Sequence, residues 1–98
     1  MRVNWTIPSL ANLLSIREYI SINNPMNAER FIAELFDSVD SQLHDFPRSG
    51  RKIPDKNNED YREIIYGNYR IMYRVFTEEV RVLAVRNSKQ LFALKEIE

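Results

Sequence analysis

The side chains best suited to chemistry in this sequence are the basic residues of its second half. Between Arg48 and Lys89 basic residues outnumber acids, although the whole chain balances 14 Lys and Arg against 14 Asp and Glu. The basic residues are Arg48, Arg51, Lys52, Lys56, Arg62, Arg70, Arg74, Arg81, Arg86 and Lys89; the acids are Asp55, Glu59, Asp60, Glu63, Glu78 and Glu79. Such an excess favours an anionic partner, and a guanidinium suits phosphate or carboxylate. On charge alone, a solvated basic face is the simpler interpretation.

Groups that could transfer protons or bind metals are few. The chain has no cysteine, which excludes disulfides and thiolate metal sites. Its one histidine, His44, falls late in a predicted helix, where a structural interaction with the helix dipole is expected. Among the acids, Glu59, Asp60 and Glu63 could in principle supply a base, but for Glu63 a structural ion pair is the simpler interpretation. No cofactor or metal is expected.

Two helices follow a short first strand that runs from Arg2 to Trp5. The first helix is predicted from Pro8 to about Ile22, with Thr6 as its cap, and the second begins at Pro25 with Asn24 as its cap. Pro47 ends the second helix. The apolar stripes that indicate them are Leu10, Leu13, Leu14, Ile16 and Ile20, and then Ala28, Phe31, Ile32, Leu35, Val39, Leu43 and Phe46. The short connection predicts an antiparallel helix hairpin.

A loop from Arg48 to Asp60 leads into three predicted strands. They span Arg62 to Tyr66, Tyr69 to Phe76 and Val80 to Arg86, with Gly67-Asn68 and Thr77–Glu79 as the turns. The middle strand alternates, so one face carries Tyr69, Ile71, Tyr73 and Val75, and the other carries Arg70, Met72, Arg74 and Phe76. The last strand is partly apolar on both sides, so the pattern does not decide which of its residues face the core. An α+β domain is therefore expected, with an N-terminal strand, a helix hairpin and a three-stranded antiparallel meander whose arginine-bearing face is open.

Chain length and composition also indicate the number of domains and the cellular compartment. A chain of 98 residues is expected to form one domain over residues 1–98. Its longest apolar runs fall far short of the roughly 20 residues that span a bilayer. The lack of cysteine fits a reducing compartment. We therefore expect a soluble cytoplasmic protein with no membrane partner.

Five segments carry recognisable motifs in a fixed order. They are Trp5-Thr6 with Leu10, Leu13 and Ile16; Tyr19-Ile20 with Asn24-Pro25, Ala28 and Arg30-Phe31-Ile32; Leu43 with Phe46-Pro47, Gly50-Arg51 and Pro54; Arg62-Glu63-Ile64 with Gly67, Tyr69-Arg70-Ile71 and Tyr73-Arg74-Val75; and Val82-Leu83-Ala84-Val85. Together they resemble the RelE/ParE superfamily of bacterial toxins over nearly the full chain. The resemblance implies a toxin held inactive by a co-expressed antitoxin whose C-terminal segment wraps over helices and sheet.

The superfamily has two activities, and the resemblance is closer to one. RelE-type members cut messenger RNA in the ribosome, and ParE-type members poison DNA gyrase. RelE-like nucleases place an arginine at the position of Arg70, and a His or Lys and then a Tyr after the last strand. Here Asn87 and Phe92 stand near those positions, and neither transfers protons. If the chain is a metal-independent endoribonuclease, Arg70, Arg86 and Lys89 carry that activity.

The sequence thus favours a ParE-like gyrase inhibitor rather than an enzyme, with no catalytic residues. The alternatives are a ribosome-dependent endoribonuclease and an inactive relative that only binds its antitoxin. Expected partners are an antitoxin with an acidic C-terminal segment, in a toxin–antitoxin hetero-oligomer, and DNA gyrase, with the ribosome and messenger RNA as the alternative. The residues expected to meet partners are Arg51, Arg62, Arg70, Arg74 and Arg86.

Overall fold

The computed structural model of the protein describes residues 1–54 and 56–88. Its elements are β1 (Arg2–Trp5), α1 (Ile7–Asn23), α2 (Pro25–Asp45), β2 (Arg51–Lys52), β3 (Tyr61–Tyr66), β4 (Tyr69–Val75) and β5 (Glu79–Asn87). The strands form one sheet in the order β1-β5-β4-β3-β2, in which β1 is parallel to β5 and the other pairs are antiparallel. This confirms the expected α+β fold. Neither helix in the described part of the chain has the length and apolar content needed to cross a membrane.

Thr6 both begins α1 and attaches it to the sheet. Its Oγ1 accepts a hydrogen bond from the Ser9 amide at 3.3 Å and donates to the Val82 carbonyl at 2.7 Å. The predicted cap is therefore confirmed, and it has a second function. Asn24 also lies at the predicted cap of α2, but its side chain makes no capping hydrogen bond. That part of the expectation was wrong.

The two helices differ in how much of their apolar stripe they bury. In α2 most of the predicted stripe faces the core, with Leu35, Val39 and Leu43 buried, whereas Phe46 lies beyond the helix end and is 67% exposed. In α1 Leu13 is buried, whereas Leu10 is 42% exposed and Leu14 is 53% exposed. Because successive helical residues turn by about 100°, adjacent positions such as 13 and 14 cannot face the same layer. Only part of the α1 stripe therefore contributes to the core.

The middle strand β4 separates its two faces as predicted. Tyr69, Ile71, Tyr73 and Val75 belong to the core that lies between helices and sheet. Met72 points to the other side, where it packs with Ile53, Tyr61 and Ala84 in a second, smaller cluster. The hairpin to β3 turns at Gly67, whose φ of 57° at the first turn position fits a type II′ turn.

A bulge in β5 explains why its inward side could not be read from alternation. Met72 pairs with Ala84 and Tyr73 pairs with Val82, so Leu83 is an extra residue between them. On one side of the bulge Val80 and Val82 enter the main core, and on the other Val85 does so. Leu83 and Ala84 instead pack on the second cluster.

The segment expected to be only a loop contains the edge strand β2, which is a correction. Arg51 and Lys52 pair with Glu63 and Arg62 of β3. The strand begins at a close contact, since the Gly50 amide donates to the buried Tyr73 hydroxyl at 2.9 Å. A Cβ at residue 50 would lie 2.5 Å from that hydroxyl. Glycine is therefore needed here for close approach rather than for a special φ.

Candidate partner-binding face of the sheet

The face of the sheet that points away from the helices, here called the open face, carries arginines of β2, β4 and β5. Cross-strand neighbours share a face, and the register makes neighbours of Arg70 and Arg86 and of Arg74 and Arg81. Arg51, on the edge strand, lies opposite Glu63 on the same side. Three of the five strands therefore bring arginines from distant parts of the sequence onto one surface.

Glu63 is the centre of the first group on this face. Its side chain is fully buried, at 0% exposure. Its Oε2 accepts from Arg51 Nε at 2.8 Å and Nη2 at 2.7 Å, and its Oε1 accepts from Arg70 Nε at 3.0 Å. The predicted structural ion pair is thus confirmed, with two arginines as its partners. One carboxylate between two guanidiniums leaves a local excess of one positive charge.

The second group is a row of cations and aromatic rings, which we call the cation–aromatic row. It contains Lys56, Tyr61, Arg74, Phe76 and Arg81. Lys56 Nζ lies 4.4 Å from the centre of the Tyr61 ring, and the Arg74 guanidinium carbon lies 5.1 Å from the same ring. Phe76 contacts two guanidiniums, with Arg74 Cζ at 4.5 Å and Arg81 Cζ at 4.4 Å from its centre. These distances fit cation–π attraction.

Glu79 closes one end of the cation–aromatic row. Its Oε1 accepts from Arg81 Nη2 at 2.9 Å, and its Oε2 accepts from Asn4 Nδ2 at 3.4 Å. The hydrogen bond from Arg81 lowers the pKa of the Glu79 carboxyl, with smaller contributions from Asn4 and Arg2. Glu79 therefore joins β1 to the start of β5 as well as neutralising Arg81.

The remaining predicted site residues lie in three different settings. Arg86 is on the open face beside Arg70, and its Nη1 donates to the Val85 carbonyl at 3.3 Å. Arg62 lies on the other face, where its guanidinium donates to the carbonyls of Glu59 at 3.0 Å and Gly50 at 2.9 Å. It secures the loop before β3 and does not join the other arginines. Lys89 lies outside the described residues, as does Phe92.

The two other acids considered as bases are both in ion pairs. Lys52 Nζ lies 2.7 Å from Glu59 Oε1, and Arg48 Nη2 lies 2.8 Å from Asp60 Oδ1. The hydrogen bond and charge of Lys52 lower the pKa of Glu59. A general base works best with a pKa near the operating pH, so this shift makes Glu59 a weaker base.

An open groove of about 530 Å³ lies between α1 and the end of β5. Its walls include Asn12, Tyr19, Tyr69 and Asn87. Past the end of β1, the Val85 amide donates to Asn12 Oδ1 at 3.0 Å, so a helix side chain replaces the missing strand partner. Burial raises the pKa of the Tyr69 hydroxyl, which keeps it protonated and unable to act as a base near neutral pH.

The sequence pattern indicated Arg74 but missed the residues that stack with it. Phe76 follows Arg74 by two positions, which places both on the same side of an extended chain. That spacing could have suggested their contact. Arg81 could not be placed in the same way, because its position beside Arg74 depends on the register of β4 with β5.

Comparison with known proteins gives consistent matches. Residues 3–92 match the family described as the ParE toxin of the type II toxin–antitoxin system parDE. Toxin RelE2 of Caulobacter vibrioides is 31% identical over 90 residues, which cover 92% of this chain and 98% of that protein. The protein Y4kP of Sinorhizobium fredii is 33% identical over 91 residues, which cover 91% of this chain and 90% of that protein.

Two solved structures share the fold. A chain of the chromosomal ParDE system from P. aeruginosa has a TM-score of 0.76 at 19% identity, covering 89% of this chain and 95% of that one. A chain of the RelBE2 toxin–antitoxin complex from Mycobacterium tuberculosis has a TM-score of 0.64 at 21% identity, covering 88% of each. With the family match over most of its length, the chain belongs to the ParE toxin family of type II toxin–antitoxin systems, within the RelE/ParE superfamily.

Proposed function

We propose that this chain acts as a ParE-like inhibitor of DNA gyrase and is neutralised by a cognate antitoxin. The observation that carries the proposal is the way Glu63 engages Arg70. A nuclease of the RelE type is expected to use the arginine at this position for phosphate. Here Arg70 donates to a fully buried carboxylate of its own chain and is only 19% exposed.

Among residues 1–54 and 56–88, the acids considered as bases are all engaged in ion pairs, which supports the same proposal. RNA cleavage without a metal needs a base for the 2′-hydroxyl and an acid for the leaving oxygen. In the described part of the chain, Glu59, Asp60 and Glu63 are each bound to a basic side chain. Asn87, at the end of β5, has an amide in place of an acid–base group. Inhibition by binding requires none of this chemistry.

The direct test is a supercoiling reaction with purified gyrase and relaxed plasmid. We expect the chain to block supercoiling or to trap cleaved DNA, and pre-incubation with its antitoxin should abolish the effect. An Arg17→Gln protein is a matched control, since this change removes a charge on helix α1 far in sequence from the open face. Supercoiling unaffected at large molar excess over gyrase rejects gyrase as the target.

One observation favours a second candidate, a ribosome-dependent messenger endoribonuclease. Arg70 and Arg86 are neighbours across β4 and β5, which is a suitable spacing for two guanidiniums on one phosphate. With Lys89 they are the cations that this activity would use, and it also needs a base for the 2′-hydroxyl. Cleavage of messenger on translating ribosomes that disappears in Arg70→Ala supports this candidate over gyrase. A chain inactive in both reactions, and harmless when induced without antitoxin, is an antitoxin-binding relative only.

The antitoxin is proposed to bring an acidic C-terminal segment to the open face. Of the residues expected to meet partners, Arg51, Arg70, Arg74 and Arg86 lie on this face, whereas Arg62 is used within the loop. Extended segments dock by edge pairing and helical segments by filling grooves. Both modes fit a toxin–antitoxin hetero-oligomer. Weaker antitoxin binding by Arg74→Glu is the expected result.

A further inference from the structure

The arginines of the open face are not equivalent, because they differ in whether a carboxylate of their own chain binds them. In the Glu63 group, a single buried carboxylate already binds Arg51 and Arg70. In the cation–aromatic row, Glu79 binds Arg81, but Arg74 has no carboxylate within ion-pair distance among residues 1–54 and 56–88. The strongest requirement for an external anion therefore lies at Arg74.

Two further features indicate that the charges and hydrogen-bond donors of Arg74 and Arg81 are not fully balanced within the described part of the chain. They are direct cross-strand neighbours, and like charges in such a pair destabilise a sheet. The Nε donors of both residues are buried without a hydrogen-bond partner in the described part of the protein. Contact with the Phe76 ring offsets part of this cost. The same ring therefore contacts both guanidiniums.

We propose that Arg74 and Arg81, held by Phe76, form the anchor for paired carboxylates of an acidic protein segment. The proposal deepens the proposed function and rests on it, since the antitoxin supplies that segment. It assigns the contact to the cation–aromatic row and makes the Glu63 group a structural support. A planar guanidinium can bind each carboxylate through two hydrogen bonds.

The structure favours carboxylates of a peptide over the phosphates of a nucleic acid. Single-stranded nucleic acid gains much of its affinity by stacking bases on exposed rings. Here Tyr61 is buried under Lys56 and Arg74, and Phe76 is already in contact with two guanidiniums. The helix layer also repels a long polyanion. Its acids are Glu18, Glu29, Glu34, Asp37, Asp40 and Asp45, and its basic residues are Arg17 and Arg30.

The test uses the full chain and two labelled probes of equal length, an oligoglutamate peptide and an oligodeoxythymidylate. Binding is measured by fluorescence anisotropy at low and at physiological salt. We expect the peptide to bind more tightly than the oligonucleotide. Arg74→Gln should weaken peptide binding about tenfold, as expected for loss of a charge-assisted hydrogen bond. Arg81→Gln is the second variant and should also weaken peptide binding.

The matched control is Arg17→Gln, which removes the same charge from the helix layer. It should leave peptide affinity unchanged, and circular dichroism establishes that each variant is folded. Equal peptide affinity in the wild type and both open-face variants overturns the proposal, as does failure of the wild type to bind the peptide. Tighter binding of the oligonucleotide assigns the row to nucleic acid instead. Because no gyrase is present, a negative result here leaves the gyrase assay to decide the proposed function separately.

Discussion

The Glu63 carboxylate and the Arg70 guanidinium form a buried ion pair, with Nε 3.0 Å from Oε1. A buried carboxylate is costly unless its lone pairs are filled, and Arg51 fills those on the other oxygen. Together the three side chains fix three strands at one point, since Arg51, Glu63 and Arg70 belong to β2, β3 and β4. Arg70, which in the sequence resembles the arginine of RelE-like nucleases, therefore also stabilises the sheet.

Replacing Glu63 by Gln should destabilise the protein strongly. The change keeps the shape but leaves two guanidiniums with a weaker acceptor. We expect a loss of about 2–4 kcal/mol, somewhat less than for a fully enclosed pair because Arg51 is largely exposed. Urea unfolding gives the value. Lys52→Gln is the control, since both partners of its ion pair with Glu59 are exposed, and it should cost less than about 1 kcal/mol. Similar losses in both variants contradict the central position of Glu63.

The Gly50–Tyr73 contact allows a second prediction. Tyr73→Phe removes the acceptor of the Gly50 amide at a buried site, and we expect a loss of about 1–3 kcal/mol. Gly50→Ala should also destabilise, because the added Cβ would lie 2.5 Å from the hydroxyl and 2.6 Å from the Glu63 carbonyl oxygen. The informative measurement is the double variant. It should lose less stability than the sum of the two, since removal of the hydroxyl relieves one of the clashes.

Thr6 offers a test of how α1 is attached to the sheet. Thr6→Ala removes the cap to Ser9 and the hydrogen bond to the Val82 carbonyl. We expect a loss of about 1–2 kcal/mol in thermal or urea unfolding. Thr6→Ser keeps the hydroxyl and should recover most of the stability. A serine variant as unstable as the alanine variant contradicts the assignment to the hydroxyl.

The two sides of α1 should respond differently to truncation. Leu13→Ala, in the core, should cost about 2–5 kcal/mol, whereas Leu14→Ala should change stability by about 0.5 kcal/mol or less because Leu14 is 53% exposed. The adjacent positions make a matched pair with the same chemical change. Urea unfolding measures both losses of stability. Comparable losses at the two sites would contradict the orientation of α1 described above.

Glu79 predicts a pH dependence with a definite sign. Its pKa is lowered in the folded protein, chiefly by the hydrogen bond from Arg81, so the folded state favours the charged form. The resulting stabilisation is present above the unfolded value of about 4.3 and is lost as pH falls through the lower folded value. The stability difference between wild type and Glu79→Gln should therefore shrink on acidification. A difference that stays constant down to strongly acid pH opposes this ion pair.

How far the sequence predicts the structure depends on the range of the interactions involved. The Thr6 cap, the Gly67 turn and the alternation of β4 are local patterns, and all three are present. The edge strand β2 was missed because two residues are too few to show alternation. The position of the Arg62 side chain could not be predicted, because its guanidinium turns to carbonyls of a loop whose path no local pattern describes. The Arg74–Arg81 contact likewise depends on strand register, which local patterns do not specify.

The extra residue at Leu83 has a consequence that follows from simple parity. Arg81 and Arg86 are five positions apart, an odd interval that in an unbroken strand would place them on opposite sides. They share a side because Leu83 inserts one residue between the paired positions Val82 and Ala84. Deleting Leu83 would make the interval even, so a regular strand would keep both arginines on one side and Val80, Val82 and Val85 on the other. The bulge therefore lets β5 carry one extra apolar residue, which packs on the second cluster, without turning either arginine toward the main core.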